Sequence, residues 1–247
     1  MLIYNSYIET YYILYKMNNL VLVRHGQSKF NVERRFTGFY DAPLSSQGEV
    51  EAEFAGQLIK QQNIKFHEYF TSQLSRAADT LNIILKVLKE SNKKINKAWE
   101  LNERHYGGLT GLNKDDTVKK YGIKQVQIWR RSFSTPPPKM ELDHPYKNKI
   151  NSNILGESLQ DTFKRVLPYF NKKIKPLILS NKNVLIVFHG NSCRALLMEI
   201  LNISQKNIVN FEVPTGNPLL IRFEKNLDVK DFKYLDKKRA KKILFSI

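Results

Sequence analysis

Two histidines of this chain stand in the same local setting. His25 follows a short apolar run at residues 20–23 and Arg24, and His189 follows a second apolar run at residues 184–188. Each is followed by a glycine, Gly26 or Gly190. An apolar run that stops at such a pair reads as a buried strand opening into a loop. In open parallel sheets, ligands bind beyond the carboxyl ends of the strands, so both imidazoles should reach one crevice. Taken singly, each is equally well an ordinary loop histidine; the paired strand-end placement is what favours a site. A neutral imidazole is a competent nucleophile, and cations beside it disfavour its protonated form.

Cations gather at points that look structured. Arg24 precedes His25, Arg76 opens a helical pattern, Arg104 follows Glu103, and Arg130 and Arg131 are adjacent, with Lys114 between these groups. Arginine is suited to bidentate recognition of phosphate. The commoner fate of any one basic residue is a solvated surface. Cys193, the single cysteine, follows the second histidine motif; a small buried core residue is the better reading than an activated thiol.

The elements that must position these residues alternate between strand and helix. Beyond the two runs already named, strands are expected at 66–70, 98–101 and 219–223. A helix with a capping box at Ser46 and Glu49 should follow, with Val50, Phe54, Ala55, Leu58 and Ile59 on one face. Ala77, Leu81, Ile84, Leu85 and Leu88 mark the next helix, and Asn113 is placed to cap another, with Asp115 and Asp116 in its first turn. Residues 157–170 and those from Ser192 onward also show helical spacing, the latter with Ala195, Leu196 and Ile200 inward. Three prolines at 136–138 and the polar stretch to Asn153 predict a long loop, a type of segment that often serves as a lid. The pattern predicts an α/β three-layer sandwich, a mostly parallel sheet flanked by helices. Residues 17–247 read as one domain with a lysine-rich tail from about 225. Residues 1–16 read as an appendage, or translation starts at Met17.

Composition sets outer limits. The chain has 247 residues, 40 Lys plus Arg against 23 Asp plus Glu, and a net charge of +17. Its 42% hydrophobic content suits a globular fold. One cysteine excludes an intramolecular disulfide and a cysteine-based zinc site. No run of 18 apolar residues suggests a membrane helix. The charge raises a polyanionic partner, yet no recognition helix, zinc finger or RNP-like motif supports nucleic-acid binding. The stretch GGLTGLNK fails the spacing of a nucleotide phosphate loop.

The segments RHGQSKFN, RFTGFYDAPLS, LNERHYGGLTGLNK, WRR and HGNSCRA, met in that order over residues 20–223, resemble the cofactor-dependent phosphoglycerate mutases of the histidine phosphatase superfamily. The RHG triplet marks the superfamily; LNERHYGGLTGLNK with WRR points to the mutases. The resemblance implies that 3-phosphoglycerate and 2-phosphoglycerate are interconverted through a phosphohistidine primed by 2,3-bisphosphoglycerate, without a metal. It implies His25 as nucleophile, Glu103 as proton donor and acceptor, and His189, Arg24 and Arg76 as stabilisers of the phosphoryl group. A carboxyl in that role works best with its pKa moved toward neutrality. Ser28, Asn31, Thr37, Gly38, Arg104, Tyr106, Lys114, Arg130, Arg131, Gly190 and Asn191 match substrate-binding positions. A cytoplasmic homodimer acting on small phosphorylated three-carbon acids is expected, with neither nucleic acid nor membrane as partner. A phosphatase or bisphosphoglycerate synthase of the same superfamily is the alternative.

The chain departs from the family pattern at several points. Gln27 stands where Glu is common, removing an acidic charge beside the nucleophile, and Phe39 replaces a common Trp. The 132–155 segment is shorter than in well-known bacterial members, and the tail from Lys225 lacks their small-residue-rich character.

Overall fold

The computed structural model describes residues 18–224 and 227–240. The proposed appendage at 1–16 and the Met17 start lie outside the described residues, as do 225–226 and 241–247 of the tail.

Six strands form one sheet in the order β3-β2-β4-β1-β5-β6. They are β1 Asn18–Arg24, β2 Glu68–Thr71, β3 Ile95–Lys97, β4 Val184–Phe188, β5 Leu219–Phe223 and β6 Val229–Tyr234. The pairings among β1 to β4 are parallel, whereas β5 and β6 join antiparallel. The sheet is therefore parallel in its site-bearing half and antiparallel at one edge. β6 falls where a lysine-rich tail was expected, because Lys230 and Lys233 give it the look of a solvated segment. Lysines are a usual guard on an edge strand, and they hide the apolar alternation.

Alternation along the strands builds two cores. Leu20, Leu22, Val184, Ile186, Leu219 and Ile221 face one layer, with Leu159, Val166, Cys193, Leu196 and Leu197. Val21, Val23, Leu185, Val187 and Leu220 face the other, with Ala55, Ile59, Leu81, Ile84 and Leu85. Helices thus cover both faces, giving the expected three layers. Each fully buried Val, Leu or Ile among them contributes about 1.5–3 kcal/mol.

The helices that matter here are α1 Ser46–Lys60, α2 Ser75–Leu88, α3 Lys114–Tyr121, α4 Ile123–Arg131, α5 Leu159–Tyr169 and α6 Gly190–Ile200. Ser45, not Ser46, caps α1: its hydroxyl accepts from Gly48 N and no reciprocal arm comes from Glu49. Small residues, Ala52, Ala55 and Gly56, face inward with Ile59, while Val50 and Phe54 are exposed. Of the expected face, Ala55 and Ile59 are buried, whereas tight packing against α2 brings in Ala52 and Gly56 in place of Val50 and Phe54. Gly56 shows why: an added Cβ would lie 2.9 Å from Val87 Cβ. Residues 98–101, expected as a strand, form a one-turn 3₁₀ helix at Trp99–Leu101 just after the short β3. Asn113 caps α3 as anticipated, accepting from Asp115 N and Asp116 N.

The 136–153 segment is irregular apart from one 3₁₀ turn, Lys147–Lys149. It is packed down, with Met140 and Ile150 buried against Phe39. Pro138 O accepts from Gly108 N at 2.8 Å, and Leu155 O accepts from Met140 N at 2.8 Å.

Candidate active site

Register places the two histidines together. Arg24 pairs with Phe188 across the parallel β1–β4 ladder, and His25 N donates to Phe188 O at 2.9 Å. The next residue on each strand is therefore a histidine at the same height. Their ring centroids lie 4.9 Å apart, at an interplanar angle of 61°. Gly26 is required because α1 backs onto it: a Cβ there would meet Gly48 O at 2.1 Å. The His-Gly pair thus reflects a helix pressed against the strand end.

His25 is oriented by its own backbone. Nδ1 lies 2.6 Å from Gly26 O. A carbonyl only accepts, so Nδ1 carries the proton and Nε2 carries the lone pair. Arg76 Nε donates toward that lone pair at 3.3 Å. Burial first, then the charges of Arg76 and Arg24, hold the His25 pKa well below the usual histidine value. Burial is thus a larger cause than the arginines. Arg76 is 1% exposed and also donates to Tyr40 O (3.0 Å) and Gly38 O (2.9 Å), tying the 37–40 loop to the nucleophile. Gly38 sits at φ 57°, a left-handed conformation that favours glycine.

His189 caps the amino end of α6 and is fully buried. Burial, then Arg76, His25 and Arg24, push its pKa well down. Its Nε2 shares a 2.8 Å hydrogen bond with Ser72 Oγ, at the end of β2. Its Nδ1 is buried without a partner among the described residues, as is Arg24 Nε. Buried polar groups normally have partners, so orphaned nitrogens beside a nucleophile are what an oxyanion would satisfy.

Glu103 lies opposite, on the irregular chain after the 3₁₀ turn. Its Oε1 accepts from Arg104 N (2.8 Å) and from Asn191 N (3.1 Å) in the first turn of α6. Burial pushes this carboxyl up, but those donors and the charges of Arg24 and Arg76 together bring it below the usual glutamate value. The expected drift toward neutrality is thus reversed in the free site. Glu103 is ionised there and poised to accept a proton.

The cavity between these groups is lined by Arg24, Arg35, Arg76, Lys114, Arg130, Arg131 and Arg194, seven cations against the single acid Glu103. Asn31, Thr37, Gly38, Tyr106, Gly190 and Asn191 also line it. Burial and the neighbouring charges of Arg130 and Arg24 lower the Lys114 pKa, against an opposing pull from Tyr106. Such mutual repulsion is relieved when a dianion enters.

Two anticipated ligands stand behind the wall. Ser28 is fully buried and caps the single turn Lys29–Val32, its hydroxyl accepting from Asn31 N. Arg104 is fully buried; its Nη2 donates to Trp129 O and Arg130 O at 3.0 Å each, and its guanidinium lies over the Tyr106 ring at 4.7 Å. It fixes the carboxyl end of α4, where Arg130 and Arg131 sit. No residue between Arg131 and Gly190 lines the cavity, so the long loop is a buttress and not a wall.

Ser72, Arg35 and Arg194 were not anticipated. Ser72 follows a strand as the histidines do, so the strand-end rule could have found it. Arg194 follows Asn191 by three residues on α6 and donates to Asn191 Oδ1 at 3.2 Å, a spacing readable in sequence. Arg35 carries no comparable signal. Cys193 is buried in the core, its thiol pushed up to about 12 by burial, as a packing residue would be. Gln27 points its Oε1 at Ser45 Oγ (3.1 Å), away from the cavity. Among the described residues no cluster of three or more His, Cys, Asp or Glu is placed to hold a metal ion, and no helix is long and apolar enough to cross a membrane.

A three-layer α/β fold carrying a strand-end histidine ringed by arginines defines a class of phosphoryl-transfer proteins. The histidine phosphatase superfamily (branch 1) matches residues 20–230, and the chain belongs to it. Within that superfamily it falls among the 2,3-bisphosphoglycerate-dependent phosphoglycerate mutases. The relative so named from Hyphomonas neptunium is 44% identical over 230 residues, 91% of this chain and 97% of that protein. The one from Buchnera aphidicola subsp. Schizaphis graminum is 46% identical over 229 residues, 89% of this chain and all (100%) of that protein. The alpha-ribazole phosphatase from Shigella flexneri shares the fold, with a TM-score of 0.67 at 20% identity over 93% of this chain and 100% of that one.

Proposed function

We propose that this chain interconverts 3-phosphoglycerate and 2-phosphoglycerate, with the phosphoryl group carried on His25 Nε2. The observation that carries this reading is the second cluster of cations. Arg24 and Arg76 line the cavity beside the nucleophile, with His189 packed against it from behind the wall, and Lys114, Arg130 and Arg131 line the same cavity from α3 and α4. A phosphatase needs only the first group, because it releases phosphate. A mutase must hold a doubly phosphorylated species at both ends until it has turned.

2,3-bisphosphoglycerate supplies the phosphoryl group that loads His25. The residues fit it: two cationic ends, with unpartnered Arg24 Nε and His189 Nδ1 at one of them. Lys114, Arg130, Arg131 and Tyr106 hold the distal phosphate and carboxylate. Ionised Glu103 takes the proton of the substrate hydroxyl that attacks the phosphoryl phosphorus as the P–N bond to His25 breaks. Arg24, Arg76 and His189 offset charge on the phosphoryl oxygens in flight. After reorientation His25 takes the other phosphoryl group, and Glu103 returns its proton to the departing oxygen. The reading places the enzyme in the cytoplasm as a homodimer, a state that sedimentation would check.

The test is conversion of 3-phosphoglycerate with and without 2,3-bisphosphoglycerate, in EDTA. Strong activation by 2,3-bisphosphoglycerate with EDTA present is expected. Loss of activity in EDTA, or free phosphate as the main product, overturns the reading.

A further inference from the structure

The chain at 102–106, which carries Glu103, belongs to no helix or strand, so no ladder fixes it. What fixes it is an ion pair beneath the site. Arg165 on α5 and Glu157, two residues before that helix, are both buried (8% and 3% exposed) and neither lines the cavity. All five N–H groups of Arg165 are used. Nε donates to Glu157 Oε1 at 2.7 Å, and Nη2 donates to Glu157 Oε2 and Glu103 O at 2.9 Å each. Nη1 donates to Glu100 O at 2.7 Å and Asn102 O at 3.0 Å. Glu157 Oε2 also accepts from His105 N at 2.8 Å, and Glu157 N donates to His105 O at 2.9 Å. The guanidinium lies over Phe39 at 5.4 Å and Trp99 at 5.9 Å from the ring centres. The pair therefore grips the backbone on both sides of Glu103 and Arg104.

We propose that Arg165 and Glu157 are positioning residues for proton transfer, and that their ion pair aims the Glu103 carboxylate at the reacting oxygen. The proposal rests on the reading of Glu103 as the acid–base group. A five-donor fork matched to one carboxylate and three carbonyls is a task lysine cannot perform, since its ammonium has three donors and no fixed plane. Arg104, gripped by the same stretch, keeps Arg130 in place through its own bonds, so the binding end depends less on this pair.

A double-mutant cycle tests it. Arg165→Lys keeps the charge and should lower kcat on the order of 10²-fold, the cost of misplacing a catalytic group by about 1 Å. KM for 3-phosphoglycerate should stay nearly unchanged. In a Glu103→Gln background the same substitution should cost little, because the group it aims is already disabled. Glu157→Gln should repeat the pattern. Equal losses in both backgrounds, or a rise in KM with kcat kept, overturn the proposal by showing a general packing role. A Glu103→Gln variant with unchanged kcat instead overturns the reading of Glu103, and the clamp's purpose with it. In the wild-type protein, which needs no variant to fold, the His105 amide should exchange as slowly as the amides of β1; fast exchange there also overturns the proposal.

Discussion

The two ends of the cavity are built differently. The nucleophile end is made from the sheet: His25, His189 and Ser72 follow three neighbouring parallel strands, and their heights are set by ladder register. The distal end is made from helix termini and a bonded irregular chain. Lys114 opens α3, and Arg130 and Arg131 close α4, anchored through Arg104. The sheet end has buried histidines, each ring held by a hydrogen bond to Gly26 O or Ser72, as bond making requires. The helical end presents longer and less confined cations, as suits a ligand that must turn while held. The same fold can thus keep its chemistry and change what it accepts, because recognition is carried on elements outside the sheet.

The largest effect that would sharpen this contrast is at the sheet end. His25→Ala should abolish both conversion and the acid-labile phosphoenzyme, because no other imidazole lines the cavity. His189 Nε2 is committed to Ser72 at 2.8 Å. Radiolabelled 2,3-bisphosphoglycerate would read the phosphoenzyme directly, and retention of label in the variant would break the assignment.

At the helical end the loss should fall on binding. Lys114→Met keeps the stem over Phe36, where the ammonium now lies 5.8 Å from the ring centre, and removes the charge. A hydrogen bond to a charged group contributes about 1.5–3 kcal/mol, so KM for 3-phosphoglycerate should rise about 10- to 150-fold. The kcat should change far less. A fall in kcat with KM unchanged would erase the division between the two ends.

That division also explains what the sequence could show. Strand-end histidines are legible because an apolar run ending in His-Gly is a local pattern that states both burial and position. Asn113 was legible because a cap is a matter of residue type. Side-chain direction was not local. Arg104 and Ser28 carry the right residue types beside the site, yet tertiary packing turned Arg104 toward α4 carbonyls and Ser28 into a cap. Arg35 faces inward with nothing to mark it among 40 cations, and Arg194 is marked only by its three-residue spacing from Asn191. The buried face of α1 was legible only in part, at Ala55 and Ile59, for a related reason: spacing gives a stripe, but a close helix–helix approach chooses its small residues.

A smaller, global effect follows from the buried imidazoles. His25 and His189 are held well below the usual histidine value, and His105 is brought to about 4, first by burial and then by Lys147 and Arg165. An unfolded histidine titrates near pH 6.5. Below that pH the unfolded chain binds protons that the native state refuses, so the linked stability is complete above about 6.5 and declines as pH falls toward the native values. Urea midpoints measured from pH 7.5 down to 4.5 should therefore drop. His105→Gln should flatten part of that drop, in the lower half of the range. An unchanged midpoint over the whole range would mean that the rings are not held neutral.

The smallest effect belongs to the departure nearest the nucleophile. Gln27 replaces a common Glu only two residues from His25, so by sequence distance it should matter. By structure it should not. Its Oε1 accepts from Ser45 Oγ at 3.1 Å, its N–H donates to Glu51 Oε2 at 2.9 Å, and it stays off the cavity wall. A carboxylate oxygen can accept from Ser45 as well as the amide oxygen does. Gln27→Glu should therefore shift stability by no more than about 0.5 kcal/mol, the range of a surface change. It should leave kcat unaltered. A large rise in kcat would place residue 27 in the nucleophile's field and extend the sheet end to the capped start of α1.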